Sequence, residues 1–198
     1  MVMVTKTNGA CLTVSALGCE QLSKKSRLLV GGSGLLCFAL AMPVLATDFI
    51  ITGGSVGINT VGGTNNVFVS SSGSIATNGL LSSGIWNQGA NNTTTVSGSI
   101  VTNGIFSDGI LNQGNDNTTT VSGGITTVAS SSGIWNEGAN NTTTVSGRIT
   151  TEAESPGILN IGDNNTTTVS GHIVTNGRLS HGIWNDGNDN TTTVSGSI

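Results

Sequence analysis

One phrase recurs through the last two thirds of the chain: Gly-Ile-Trp/Leu-Asn, a short Gly/Asn/Asp-rich step, then Asn-Thr-Thr-Thr-Val-Ser-Gly. It begins at Gly84, Gly109, Gly133, Gly157 and Gly182, at intervals of 25, 24, 24 and 25 residues, with a weaker copy at Gly57, 27 residues before Gly84. A fixed period of this size is the mark of a solenoid, in which each repeat buries its apolar face only against its neighbours. The sequence therefore constrains shape and cellular address far more than it constrains a ligand.

An ordinary globule is excluded by composition. Charged residues make up 8% and aromatics 4%, with 30 Gly and no Tyr, against about 25% charged in an average domain. Disordered chains combine low hydrophobicity with high charge. Here charge is low and Val and Ile return in phase, which favours a stacked repeat. Charge is also uneven. Residues 1–46 carry Lys6, Lys24, Lys25 and Arg27 against Glu20, a net of +3, whereas residues 47–198 carry Arg148 and Arg178 against nine acids, a net of −7. A mildly acidic chain without a basic patch argues against nucleic acid and anionic membrane as partners.

Residues 1–46 read as a signal peptide. Lys24-Lys25-Ser26-Arg27 precedes the apolar run from Leu28, and Val44-Leu45-Ala46 after Pro43 offers a small-residue cleavage site. The alternatives are a membrane anchor, short for a span and interrupted by Gly31, Gly32, Gly34 and Pro43, and a lipoprotein processed at Cys37. Cys11, Cys19 and Cys37 all fall in this segment. Cleavage at Ala46 leaves a solenoid domain, residues 47–198, that must obtain its rigidity without disulfides.

Within the coil at 84–108, Gly, Asn, Thr and Ser are poor helix formers and no 3.6-residue apolar period appears. β-branched residues cluster in 93–96 and 99–102, bounded by Gly and Asn, as in short strands with turns between them. The expected fold is an all-β parallel β-helix of five to six coils of 24–27 residues. With strands about 4.8 Å apart, the rod would be about 25–30 Å long. If Val96 points inward, Thr94 and Ile100 share its side and Thr93, Thr95 and Ser97 point out. Inner columns then join Val96, Val121, Val145, Val169 and Val194, and Ile85, Ile110, Ile134, Ile158 and Ile183. Ile105 or Phe106 is expected to add to the core. Asn87, Asn112, Asn136, Asn160 and Asn185 form a candidate structural amide ladder. Trp86, Leu111, Trp135, Leu159 and Trp184 form a column whose side of the wall the sequence leaves open. Asn-Gly steps at 103–104 and 176–177 mark the longer coils, so the length change belongs on the surface.

Gly84–Asn87 and Thr93–Ile100, with their copies, resemble the passenger repeats of Gram-negative autotransporters. There, Gly-Ile-aromatic-Asn-x-Gly is followed by a Thr/Ser-rich strand and Ser-Gly-x-Ile. The likeness covers roughly residues 53–198, and the long basic leader fits it. The resemblance implies a parallel β-helix, commonly right-handed. It implies a non-enzymatic passenger region exported to the cell surface, outer membrane or extracellular space. Its work would be adhesion or structural display, with a host-surface or matrix ligand, or self-association, as partner. It also implies a C-terminal membrane β-barrel that the residues up to Ile198 do not include. The chain is accordingly expected to be a fragment, tied to the outer membrane only through that missing barrel.

The residues point to little other chemistry. His172 and His181 do not recur in other repeats, and no Cys/His cluster suggests zinc. Asp116, Asp163 and Asp189 sit in the turn before the Thr strand, where carboxylates serve solubility or, less simply, Ca²⁺. No cofactor or metal is expected. Glu152 and Glu154 share one loop, and a carboxylate pair suits glycoside hydrolysis, but near-identical coils offer no cleft. Two exposed Thr columns, Thr93, Thr118, Thr142, Thr166 and Thr191 beside Thr95, Thr120, Thr144, Thr168 and Thr193, resemble the face of β-solenoid ice-binding proteins. The simpler reading is that Thr favours strands and stacks well. Asn-x-Thr triplets such as Asn92-Thr93-Thr94 are formal glycosylation acceptors.

Overall fold

The computed structural model describes residues 57–198 apart from Ala129 and Ala153, together with the backbone strands Ser26–Val30, Phe38–Ala39, Thr47–Ile51 and Gly54–Ser55. The expected leader and its three cysteines lie outside the described residues, save for the first two of those strands. Thr47–Ile51 pairs with Ser26–Val30, and Phe38–Ala39 pairs with Ile58–Val61.

The chain is an all-β parallel solenoid, with no helix among the described residues. Each coil contributes one strand to each of three parallel sheets, of seven, eight and six strands. One coil shows the plan. Ile85–Gln88 joins the first sheet, called here the Asn sheet. Thr93–Val96 joins the second, the Thr sheet. Ser99–Thr102 joins the third, the Ile sheet. Two of these strands were legible from their β-branched residues. Ile85–Gln88 was not, because Ile-Trp-Asn-Gln has no β-branched run and its third residue favours turns.

Like stacks on like. The register aligns Val96 with Val69 and Val121, and Val145 with Val169. It aligns Ile85 with Ile110, Ile110 with Ile134, and Ile134 with Ile158. In the Ile sheet it joins Ile75, Ile100, Ile125, Ile149 and Ile173. These three columns are the apolar core, and their members between Val69 and Ile173 are essentially inaccessible to water. Ile183 packs against its end, and Val194, on the last coil, is 41% exposed.

The corner between the Thr and Ile sheets is fixed by glycine. A Cβ on Gly98, Gly123, Gly147, Gly171 or Gly196 would collide with the carbonyl oxygen of the glycine one coil earlier. Here backbone lies on backbone, and only the residue without a side chain fits. One expectation fails: Ile105 and Phe106 are 51% and 57% exposed, outside the core. They lie in the corner between the Ile and Asn sheets, just before the buried Ser107.

Candidate binding faces

More than half of the buried polar and apolar side chains are polar, and most of these form ladders. Asn87, Asn112, Asn136, Asn160 and Asn185 line the inner face of the Asn sheet, the first four fully buried. Each of the first four donates one amide hydrogen to the Oδ1 of the next at 2.7 Å. The other hydrogen goes to a Thr Oγ1 in its own coil at 2.9–3.0 Å, from Asn87 to Thr94, Asn112 to Thr119, Asn136 to Thr143 and Asn160 to Thr167. Both amide donors are satisfied, which is what makes an amide tolerable among Val and Ile.

A second ladder lies among the Asn residues that bound the strands, where the sequence pattern shows only turns. Asn92, Asn117, Asn141 and Asn165 are also buried, in the corner between the Asn and Thr sheets. Each backbone N–H donates to the side-chain Oδ1 one coil on, at 2.8–2.9 Å, ending on Asn190. Asn92, Asn117 and Asn165 also close the turn by donating to the carbonyl of Gly89, Gly114 and Gly162. The residue before each, Asn91, Asp116, Asn140, Asn164 or Asp189, has φ of 54–61°, a conformation Asn and Asp adopt at low cost.

The outer faces differ in chemistry. On the Thr sheet, Thr93, Thr118, Thr142, Thr166 and Thr191 form one exposed column. Thr95, Thr120, Thr144, Thr168 and Thr193 form another, with Thr95 and Thr120 half-buried. The two columns stand about 6.6 Å apart along the strands, and hydroxyls recur about every 4.8 Å between coils. Asn66 and Phe68 occupy the same register in the coil before.

On the Asn sheet, strand alternation turns Trp86, Leu111, Trp135, Leu159 and Trp184 outward, which answers the question the sequence left open. Beside them, two residues along each strand, run Gln88, Gln113, Glu137, Ile161 and Asp186. Trp86 donates from Nε1 to Gln113 Oε1 at 2.7 Å, and Gln113 donates from Nε2 to Glu137 Oε2 at 2.8 Å. The indole N–H of Trp135 has no partner, because Ile161 stands where Gln113 serves Trp86. Trp184 packs its ring against His181, with centroids 5.2 Å apart.

The remaining titratable groups are scattered. Asp116, Asp163, Asp189, Glu152 and Glu154 are exposed. Asp163 accepts the backbone N–H of Asn188 at 2.7 Å. Among the described residues no three His, Cys, Asp or Glu side chains gather as a metal site. His172 is exposed and shares a hydrogen bond with Ser197 Oγ. The exception is Asp108, 5% exposed in the corner before Gly109. Burial raises its pKa to about 6, against the opposing effect of hydrogen bonds from Ser132, whose backbone N–H donates at 2.6 Å. Its counterparts in other coils are Ser83, Ser132, Pro156 and His181, so no pattern marked it in the sequence.

Compared with protein-family models, with curated proteins and with solved structures, the chain matches none.

Proposed function

We propose that this chain is a non-enzymatic, exported β-solenoid that serves adhesion or structural display at the cell surface, as the repeat region of an autotransporter-like protein. The observation that carries the reading is the set of outward columns. Identical or like side chains recur at each coil on flat faces, so any contact one coil makes is available to its neighbours. Such a face binds by many weak contacts whose combined strength depends on geometry. The ligand is a host-surface or matrix component, or another copy of the chain. The leader and the repeat phrase support export and the autotransporter relation.

Adhesion of beads coated with the whole chain, to matrix-coated surfaces and to one another, tests the proposal. Deleting one coil, residues 109–132, keeps the stacking rule of a nearest-neighbour solenoid and should reduce retention under flow by more than the fraction of face removed. Beads that do not adhere at all would sink the reading.

The paired Thr columns favour a second reading, a secreted ice-binding solenoid. Thermal hysteresis that disappears in Thr144→Tyr would support it, since a bulky ring in the middle of the array breaks the flat lattice of hydroxyls and methyls. Hydrolysis of glycans by Glu152 and Glu154 is the third reading, and requires turnover that Glu152→Gln abolishes.

A further inference from the structure

All three tryptophans of the chain stand in one column, on the outer face of the Asn sheet. They occupy alternate coils, with Leu111 and Leu159 between them, so the apolar stripe is continuous along the rod. Aromatic rings recur every two coils, about 9.6 Å. Beside Trp135 and Trp184, two residues along the same strands, stand the exposed carboxylates of Glu137 and Asp186, again two coils apart. The turn that follows adds Asp116, Asp163 and Asp189, all exposed. No lysine or arginine lies on this sheet or in that turn among the described residues. Arg148 lies on the Ile sheet, and Arg178 in the corner after it.

We infer that this face binds a linear β-1,4-linked amino-sugar polymer, a glucosamine chain of the chitosan type, lying along the stacking axis. One extended β-1,4-linked pyranose unit is slightly longer than the step from coil to coil, ~4.8 Å, so a short oligomer stays nearly in phase with the coils. Alternate units turn the same side to the protein, which matches rings on alternate coils. The C–H face of a sugar stacks on an indole and packs on the intervening leucines. Its ammonium group faces Glu137 or Asp186, and the cation gains further from the indole beside it. The charge of the face, acidic and without lysine or arginine, matches a cationic polymer and opposes an acidic one. The hydrogen bonds from Trp86 to Gln113 and from Gln113 to Glu137 hold three members of the surface in place before any ligand arrives, which lowers the ordering cost of binding. An extended basic peptide fits less well, because its same-side residues recur at about 6.6 Å.

The inference rests on the reading of the rod as a multivalent binding surface, and it names one partner for one face. Its test uses the protein's own reporters, since every tryptophan lies in the stripe. The whole chain is titrated with a fully deacetylated glucosamine hexamer in mildly acidic buffer while tryptophan emission is followed. A saturable change in emission is expected, weakened about tenfold by Trp135→Ala, as for an aromatic anchor, and by less with Glu137→Gln or added salt. Trp184→Ala, in the last coil, should weaken binding without touching the middle of the rod, and so stands in if Trp135→Ala fails to fold. No change in emission overturns the inference. Equal affinity for cellohexaose or the N-acetylated hexamer overturns the amino-sugar assignment, and tighter binding of oligolysine overturns the sugar. Beads that adhere to matrix while the hexamer leaves emission unchanged would remove this partner and leave the adhesion reading standing.

Discussion

Two corners of the same coil share one device, a side-chain oxygen one coil on that accepts a backbone N–H, but only one of them keeps its length. The corner from the Asn sheet to the Thr sheet keeps one length in all five strong copies and satisfies its backbone from a buried Asn one coil away. The corner from the Ile sheet to the Asn sheet varies by a residue between coils. There the constant element is a serine column, Ser82, Ser107, Ser131 and Ser155, whose hydroxyl oxygens beyond the first accept the backbone N–H of the preceding member. In the shorter coils Thr127 and Thr151 donate to the carbonyls of Ser131 and Ser155, at 2.7 and 2.8 Å. In the longer ones the extra residue moves that carbonyl out of reach, and Thr77 and Thr102 are left buried without a partner. The first corner sets the stack and the second tolerates variation, including large apolar residues in water: Leu81, Phe106 and Leu179 are exposed with φ of 55–58°.

The largest effect that would break this contrast comes from the ladders. Asn136→Ala leaves Asn112 without its acceptor and Asn160 Oδ1 without its donor inside the core, and empties the site beside Thr143. The loss should be about 4 kcal/mol, from two buried groups left unsatisfied and the hydrogen bonds removed. Urea unfolding should show it as a lower midpoint. A loss below about 1 kcal/mol, the worth of one ordinary hydrogen bond, would mean that the amide column is a passenger on the Ile and Val stack.

Next in size is the variable corner's buried acid. The pKa of Asp108 is raised in the folded state to about 6 from 3.8, so the folded chain holds a proton that the unfolded chain gives up. Stability from this group is full below pH ~4, falls as pH rises through ~4 to ~6, and is constant above that, a loss of about 3 kcal/mol at most. Asp108→Asn should flatten the profile over that window and stabilise the chain at neutral pH, since an amide oxygen still accepts from Ser132. Thermal melts of both forms between pH 3.5 and 7 check this. A wild-type profile that rises relative to that of Asp108→Asn across the window reverses the sign and refutes the burial argument.

The repeat made much of this visible in the sequence. Alternation in Thr-Thr-Thr-Val fixed which Thr faces water, and phase alone aligned Val with Val and Ile with Ile. What stayed hidden was the use of a turn residue as core. Asn92 and Asn91 look alike in one coil, but Asn92 is Asn in every strong copy whereas Asn91 gives way to Asp116 and Asp189. That constancy was the available signal. The exposure of Ile105 and Phe106 was readable in the same way, because their places are taken by Ala153 and Glu154, and by Arg178 and Leu179, in other coils. Asp108 was not readable, because the residues at its place in other coils, Ser83, Ser132, Pro156 and His181, share no common chemistry.

The smallest predicted effect sharpens the contrast most cleanly. Both corners hold a residue at positive φ, 55° at Phe106 and 58° at Asn140. A bulky side chain pays for that conformation and Asn hardly does. Phe106→Gly should therefore relieve strain worth about 1–2 kcal/mol, partly offset by the greater freedom of glycine in the unfolded chain, for a net gain of about 1 kcal/mol. Asn140→Gly should change stability by no more than a few tenths of a kcal/mol. Paired chemical denaturation of the two variants measures the difference directly. If Phe106→Gly destabilises instead, the exposed ring is held by contacts across its corner, and the variable corner carries structure that its changing length and sequence conceal.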